Sequence, residues 1–282
     1  MFIGKKTIMG FLALVLLLPL SLLGCTSDLS AEEITANVID AYQKVTTTRM
    51  DMTLNAATEM TTTNQSIKFN MLENAVASIN VAEKQMEMAM NITMDMPGQG
   101  TQDMAMDVFV ISDWIYMKVG LPQGDQWLRM RLSDELWSQQ DQLTQQIEFL
   151  KTAIKVTSLG SETVDGVDCF VVQIKPDMES LMKWLSSQQS QPGVDFSKID
   201  LSRVFKSTSI KEWIAQDSYL PVKAEMDMVL EMLPEDVGAT DQDFTKMAMD
   251  IKAEVRYYDY NQPVSVALPL AALDAQEITT GQ

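Results

Sequence analysis

Apolar residues fall at helical spacing near the start of the chain and at alternate positions over most of the remainder. Leu29-Ser30-Ala31-Glu32-Glu33-Ile34 predicts a helix start: Ser30 and Glu33 have capping-box spacing, and Leu29 with Ile34 has that of a hydrophobic staple. Ile34, Val38, Ala41, Tyr42 and Val45 then share one helical face, and the β-branched run at Thr46 ends it. From there the period becomes two. Met50, Met52, Leu54 and Ala56 alternate with Arg49, Asp51, Thr53 and Asn55, and Ile67, Phe69 and Met71 alternate with Lys68 and Asn70. The longest such stretch is Met86, Met88, Met90, Ile92, Met94 and Met96. After the turn signal Pro97-Gly98-Gln99-Gly100, the phase returns through Met104, Met106, Val108 and Val110. Strict alternation of this kind belongs to antiparallel strands that bury one face.

Two shorter strands are expected at Trp114–Val119 and Gln126–Arg131, around Pro122-Gln123-Gly124-Asp125. A second helix opens at Ser133, with Leu136, Leu143, Ile147, Leu150 and Ile154 as its apolar stripe. A hairpin follows, Leu159–Val164 and Val167–Lys175, turning at Asp165-Gly166. A third helix spans Asp177–Ser187 and leads to the loop signal Gln191-Pro192-Gly193. Val204–Ala215 and Leu220–Leu233 read as strands, the second with Val222, Ala224, Met226, Met228, Leu230 and Met232 in phase. After the acidic run Pro234–Asp243 comes a last long strand carrying Met247, Met249, Ile251, Ala253, Val255 and Tyr257. No change of composition marks a domain boundary after residue 30, so residues 30–270 are expected to form one domain, with 271–282 as a tail.

Composition narrows the chemistry. The absence of His among 282 residues excludes Ser-His-Asp triads, Cys-His dyads and His-ligated zinc sites. A net charge of -18 argues against nucleic acid, whose phosphates require clustered Lys and Arg. With 46% hydrophobic and 21% charged residues the chain has the balance of a folded protein.

Residues 1–24 read as an export leader: Lys5 and Lys6 precede the apolar run Phe11–Leu23, which is short for a bilayer span. The leader ends in Leu22-Leu23-Gly24-Cys25, which resembles the lipobox of bacterial lipoprotein precursors. The resemblance implies cleavage before Cys25 and a lipid on its thiol, anchoring the protein to the outer side of the cell membrane. Residues 25–29 would then be a lipidated tether of at most about 17 Å. Removing the leader, which holds two lysines and no acid, takes the net charge from -18 to -20 and leaves Cys169 as the other cysteine. Cys169 lies among Val167, Phe170, Val171 and Val172, so a buried, inert thiol is expected there.

Three further stretches carry a family likeness: Thr163-Val164-Asp165-Gly166-Val167-Asp168-Cys169-Phe170, Tyr219-Leu220-Pro221-Val222-Lys223, and Tyr258-Asp259-Tyr260-Asn261-Gln262-Pro263-Val264 followed by Val266-Ala267-Leu268-Pro269. With the element order and the lipobox, the chain resembles the LolA/LolB-like superfamily, including the LppX/LprG-type lipoproteins. That resemblance implies an α+β fold: a strongly curved antiparallel sheet, an incomplete β-barrel, with helices covering or filling its concave side. It also implies a hydrophobic cavity for a lipid or other amphiphile. No catalytic signature takes part, so no enzyme activity and no cofactor are expected.

The chain has 22 Met, most of them in the apolar phase of the strands. Three readings stay open for them: core filling, a deformable cavity wall, and Cu(I) ligation by thioethers. The family resemblance favours the cavity wall. The expected lining is Met50, Met52, Leu54, Phe69, Met71, Met86, Met88, Met90, Ile92, Met94, Met104, Met106, Met226, Met228, Met247 and Met249, with no resident metal. Ser180-Leu181-Met182-Lys183 matches the S-x-x-K spacing, but without S-D-N or K-T-G partners it reads as a chance match on a surface helix. Glu235, Asp236, Asp241 and Asp243 lack EF-hand spacing and read as a solvated charge run. The expected function is a membrane-anchored, extracytoplasmic lipoprotein that binds an amphiphile. The alternative is an envelope sensor with a collapsed cavity that binds another envelope protein.

Overall fold

The computed structural model describes residues 29–98, 100–121, 124–132, 153–177, 201–237 and 245–278. Helix α1, Ala31–Tyr42, buries Ile34, Val38 and Tyr42 on the face its spacing predicts. Eleven long strands follow: β1 Thr47–Thr61, β2 Ser66–Asn80, β3 Gln85–Met96, β4 Gly100–Ile111, β5 Trp114–Leu121, β6 Gly124–Arg131, β7 Ala153–Val164, β8 Val167–Pro176, β9 Phe205–Ala215, β10 Pro221–Met232 and β11 Lys246–Tyr258. The two-residue β12, Gln276–Glu277, completes a single 12-stranded sheet of order β12-β6-β5-β4-β3-β2-β1-β11-β10-β9-β8-β7. The long strands pair antiparallel with their neighbours in this order, and β12 runs parallel to β6.

The topology is two meanders joined through β1. β1 to β6 step outward in chain order, the chain then passes to the opposite edge, and β7 to β11 step back until β11 pairs with β1. The sheet is large, curved and open, with β7 at one edge and β12 at the other. Register shifts between Ser158 and Gly160 and between Val229 and Leu230 mark bulges, which bend the strands that carry them.

Among the described residues the fold is mostly β, with α1 as the one α-helix of more than a single turn. The second and third helices, Gln191-Pro192-Gly193, the Ser180–Lys183 match, and the leader with Cys25 lie outside the described residues. Ile154, placed by its spacing on the second helix, belongs to β7, where Val156 two residues on pairs with Ile174 of β8. Its surroundings, Ile154-Lys155-Val156-Thr157, are β-branched at three of four positions and suit a strand.

The stretches that carry the family likeness are turns and a strap. Asp165-Gly166 closes the β7–β8 hairpin with φ of 51° and 85°, the two left-handed positions that such a two-residue turn requires. Tyr219 stacks on Phe170 at 6.1 Å as the chain enters β10. In the third stretch the Asn261 amide Oδ1 accepts from the Thr46 backbone N–H at 2.8 Å, and the Thr47 hydroxyl donates to the Gln262 carbonyl at 2.7 Å. Val264 and Val266 then pack on Phe109, beside Trp127 and Leu268. The chain goes on past residue 270, where the sequence reading starts a tail, and Gln276 and Glu277 pair with Leu128 and Arg129.

Candidate functional site

Strand register decides which side chains share a face. Opposite partners in an antiparallel pair point to the same side. Met50 faces Tyr257 and Ala77, Met52 faces Val255 and Ala75, and Leu54 faces Ala253 and Glu73. Continuing outward, Met71 pairs with Met94, Ala77 with Met88, Met90 with Met106, and Ile92 with Met104. On the other side Met226 pairs with Ala253 and Ile210, Met228 with Ile251 and Thr208, and Met232 with Met247. Phe69 and Met249 both oppose Thr58. Every position expected to line a cavity is therefore on one face of the sheet.

That face divides into a closed and a half-open part. At the closed part Met50, Ala77, Ile79, Met86, Val108, Val110, Ile115, Leu132 and Tyr257 form a core, with Met88, Met90 and Met106 packed against it. Met86 is 1% exposed and belongs to this packed interior. Phe69, Met71, Ile92, Met94, Met228, Met247 and Met249 are half-buried, and Met104 is 42% exposed. Beside the core lies a cleft of about 320 Å³, bounded by Met52, Leu54, Ala253, Val255 and Tyr257 of β1 and β11, Ala224, Glu225 and Met226 of β10, Ile210 and Glu212 of β9, and Ile174 of β8. Of the expected lining, the cleft brings together Met52, Leu54 and Met226.

Glu212 is the residue that periodicity left unremarked. It sits between Ile210 and Ile214 in the apolar phase of β9 and faces Ala224 and Val172 across its neighbours. Its side chain is buried, and its Oε2 has no hydrogen-bond partner. Burial pushes its carboxyl from the ordinary 4.5 up to about 7. Two buried phenols lie close enough to feel its charge. Tyr42 of α1 hydrogen-bonds Tyr260, and Tyr260 donates to the Pro221 carbonyl at 2.9 Å, while burial, then neighbouring phenols and Glu212, raise both phenols well above 10. A carboxylate in an apolar phase was the available signal.

The opposite face is laced with ion pairs. Lys223 contacts Glu225 at 2.7 Å and Glu254 at 3.1 Å, Arg256 contacts Glu254 at 2.9 Å and also Asp165, and Lys211 contacts Glu162 at 3.2 Å. Glu162 also accepts from the Trp213 indole N–H at 2.7 Å. Cys169 is buried there against Val171 and Trp213, and burial raises its thiol pKa. Asp236 departs from the solvated run expected around it: it is buried, accepts from the Leu233 N–H at 2.9 Å and lies 3.4 Å from the Arg203 Nε.

The sequence profile of a family of unknown function, DUF6612, matches residues 30–277. No curated protein matches the sequence. Similar solved structures include LprF from Mycobacterium bovis, with 13% identity and a TM-score of 0.46, covering 85% of this chain and 96% of that one. The lipoprotein LppX of Mycobacterium tuberculosis follows at 16% identity and a TM-score of 0.40, over 83% and 98%. A LolA superfamily protein from Nitrosomonas europaea is similar at 12% identity and a TM-score of 0.22, over 86% and 96%. At such identities and TM-scores the likeness bears on neither ligand nor activity. The match over residues 30–277 places this chain in the DUF6612 family.

Proposed function

We propose that this protein is a non-catalytic, extracytoplasmic lipoprotein, anchored through Cys25, that holds the apolar part of a lipid or other amphiphile against the Met52–Met226 face of its sheet. The observation that carries the reading is the cleft. Apart from the Glu212 carboxyl its walls are aliphatic, thioether and aromatic, and its volume of about 320 Å³ lies at the low end of the roughly 300–1,000 Å³ typical of small-molecule sites. Each methylene that leaves water for such a wall contributes about 0.8 kcal/mol. Unbranched Met side chains adapt to chains of differing shape. A chain lying further along the same face would meet Met228, Met247 and Met249, which are half-buried.

The test is occupancy. Met226→Trp places a large ring in the cleft, and fluorescent acyl-probe affinity should fall at least tenfold while the cooperative thermal transition is kept. Unchanged affinity in the folded variant would place the ligand elsewhere and sink the reading.

A further inference from the structure

The cleft has an uncompensated acid on its lining. Glu212 is 7% exposed and its Oε2 has no partner, while Glu225, which also borders the cleft, turns its carboxylate to Lys223 on the opposite face. Among the described residues no Lys or Arg lines the cleft. The basic side chains of the neighbouring strands, Lys211, Lys223, Lys252 and Arg256, are paired with carboxylates. The nearby phenols do not make good the deficit, since Tyr42 and Tyr260 bond to one another and the Tyr260 hydroxyl donates to the Pro221 carbonyl. A buried carboxyl in this state either keeps a proton or waits for a cation.

We propose that Glu212 is the head-group anchor of the cleft and that the amphiphile it takes ends in an alkylammonium. This rests on the amphiphile-binding reading given above and names the ligand class within it. Ammonium supplies both what the carboxylate lacks, a positive charge and N–H donors, in a charge-assisted hydrogen bond. Tyr257 lines the same cleft and presents an aromatic ring, the other group that attracts a desolvated cation. An anionic head would meet the Glu212 carboxyl and, among the described residues, no base, in a chain of net charge -18. Burial raises the Glu212 carboxyl, and a bound ammonium would return it to its ionised form.

The experiment is titration calorimetry of decylammonium, decanol and decanoate at pH 7.5 and 0.3 M NaCl. The protein is the full chain as the expressing cell processes it, held in non-ionic amphipol, with empty amphipol as blank. In the wild type decylammonium should bind at least tenfold tighter than decanoate and about fivefold tighter than decanol. In Glu212→Gln the gap between decylammonium and decanol should close to within twofold. Met226→Trp, which fills the cleft and leaves Glu212 in place, should lose all three, so the proposal does not hang on how one variant folds. An ammonium preference that survives Glu212→Gln, or equal affinity for the three ligands in the wild type, overturns the inference and leaves the amphiphile reading standing. Binding of none of the three overturns both.

Discussion

Met86 and Met104 occupy the same face of adjacent strands, in the same alternating phase, yet one is 1% exposed and the other 42%. Met86 lies where β2, β4 and β5 bring Ile79, Val110 and Ile115 together with Leu132. Met104 lies toward the far end of the same strands, opposite Ile92. Alternation thus fixes which side of a sheet a residue faces and leaves its depth open. Depth is set by what crosses over the face, a non-local matter. The cleft occupies ground between these extremes, apolar like the core and accessible like the rim.

The sharpest way to break this comparison is a charge. Met86→Glu places an unpaired carboxylate in packed interior and should cost several kcal/mol, unfolding the domain or lowering its midpoint by more than about 10 °C. Met104→Glu should shift stability by no more than about 0.5 kcal/mol. Similar thermal midpoints for the two variants would show that the face has no closed part.

Acidity sharpens the same contrast at Glu212. Its folded pKa of about 7 lies above the ordinary 4.5, so between those values the folded chain holds a proton that the unfolded chain has released. Its stabilising contribution is complete below about pH 4.5 and is lost as pH rises through about 7, a change on the order of 3 kcal/mol. Glu212→Gln should remove that slope from a urea-unfolding series across this range. The exposed Glu162 and the half-buried Glu59, Glu231 and Glu254 are shifted down, chiefly by hydrogen bonds to Trp213, Ser66, Lys246 and Arg256 respectively. They act in the opposite sense, losing their contribution as pH falls through their lowered values. A Gln variant with the wild-type slope would contradict the burial of Glu212.

A smaller effect separates turn chemistry from packing. A Cβ on Gly166 would meet nothing within 4 Å, so Gly166→Ala is opposed by backbone conformation alone, at φ 85°. It should destabilise by about 1–2 kcal/mol. A neutral result in chemical denaturation would mean the hairpin closes differently. Smallest in energy is the thiol test: Cys169 should react with a maleimide slowly until denaturant is added, and rapid stoichiometric labelling of the native protein would show that β8 is uncovered.

Much of the sheet was legible because long strands with one wet face repeat a period of two. Met86 to Met96 and Met247 to Tyr257 each name a strand and its inner face. Asp165-Gly166 named its turn because few residues accept two left-handed positions. Three things escaped. The second half of β2, Ala75, Ala77 and Ile79, is carried by small side chains that make weak alternation, although Ala77 and Ile79 are core. β12 is too short to show a period, and its pairing with β6 is tertiary. Within the candidate site, Met52, Leu54 and Met226 followed from phase. Glu212 did not, because a single acid in an apolar phase is recognisable only once the neighbouring strands show that nothing compensates it.

The most direct measurement of the central claim is photolabelling with an acyl chain bearing a diazirine along its length, followed by peptide mapping at residue level. The account predicts label on Met52, Leu54, Met226 and Ala253, which share the cleft, and none on Thr53, Asn55 and Asp227 of the opposite face. Label concentrated on that opposite face, or spread evenly between the two, would contradict it.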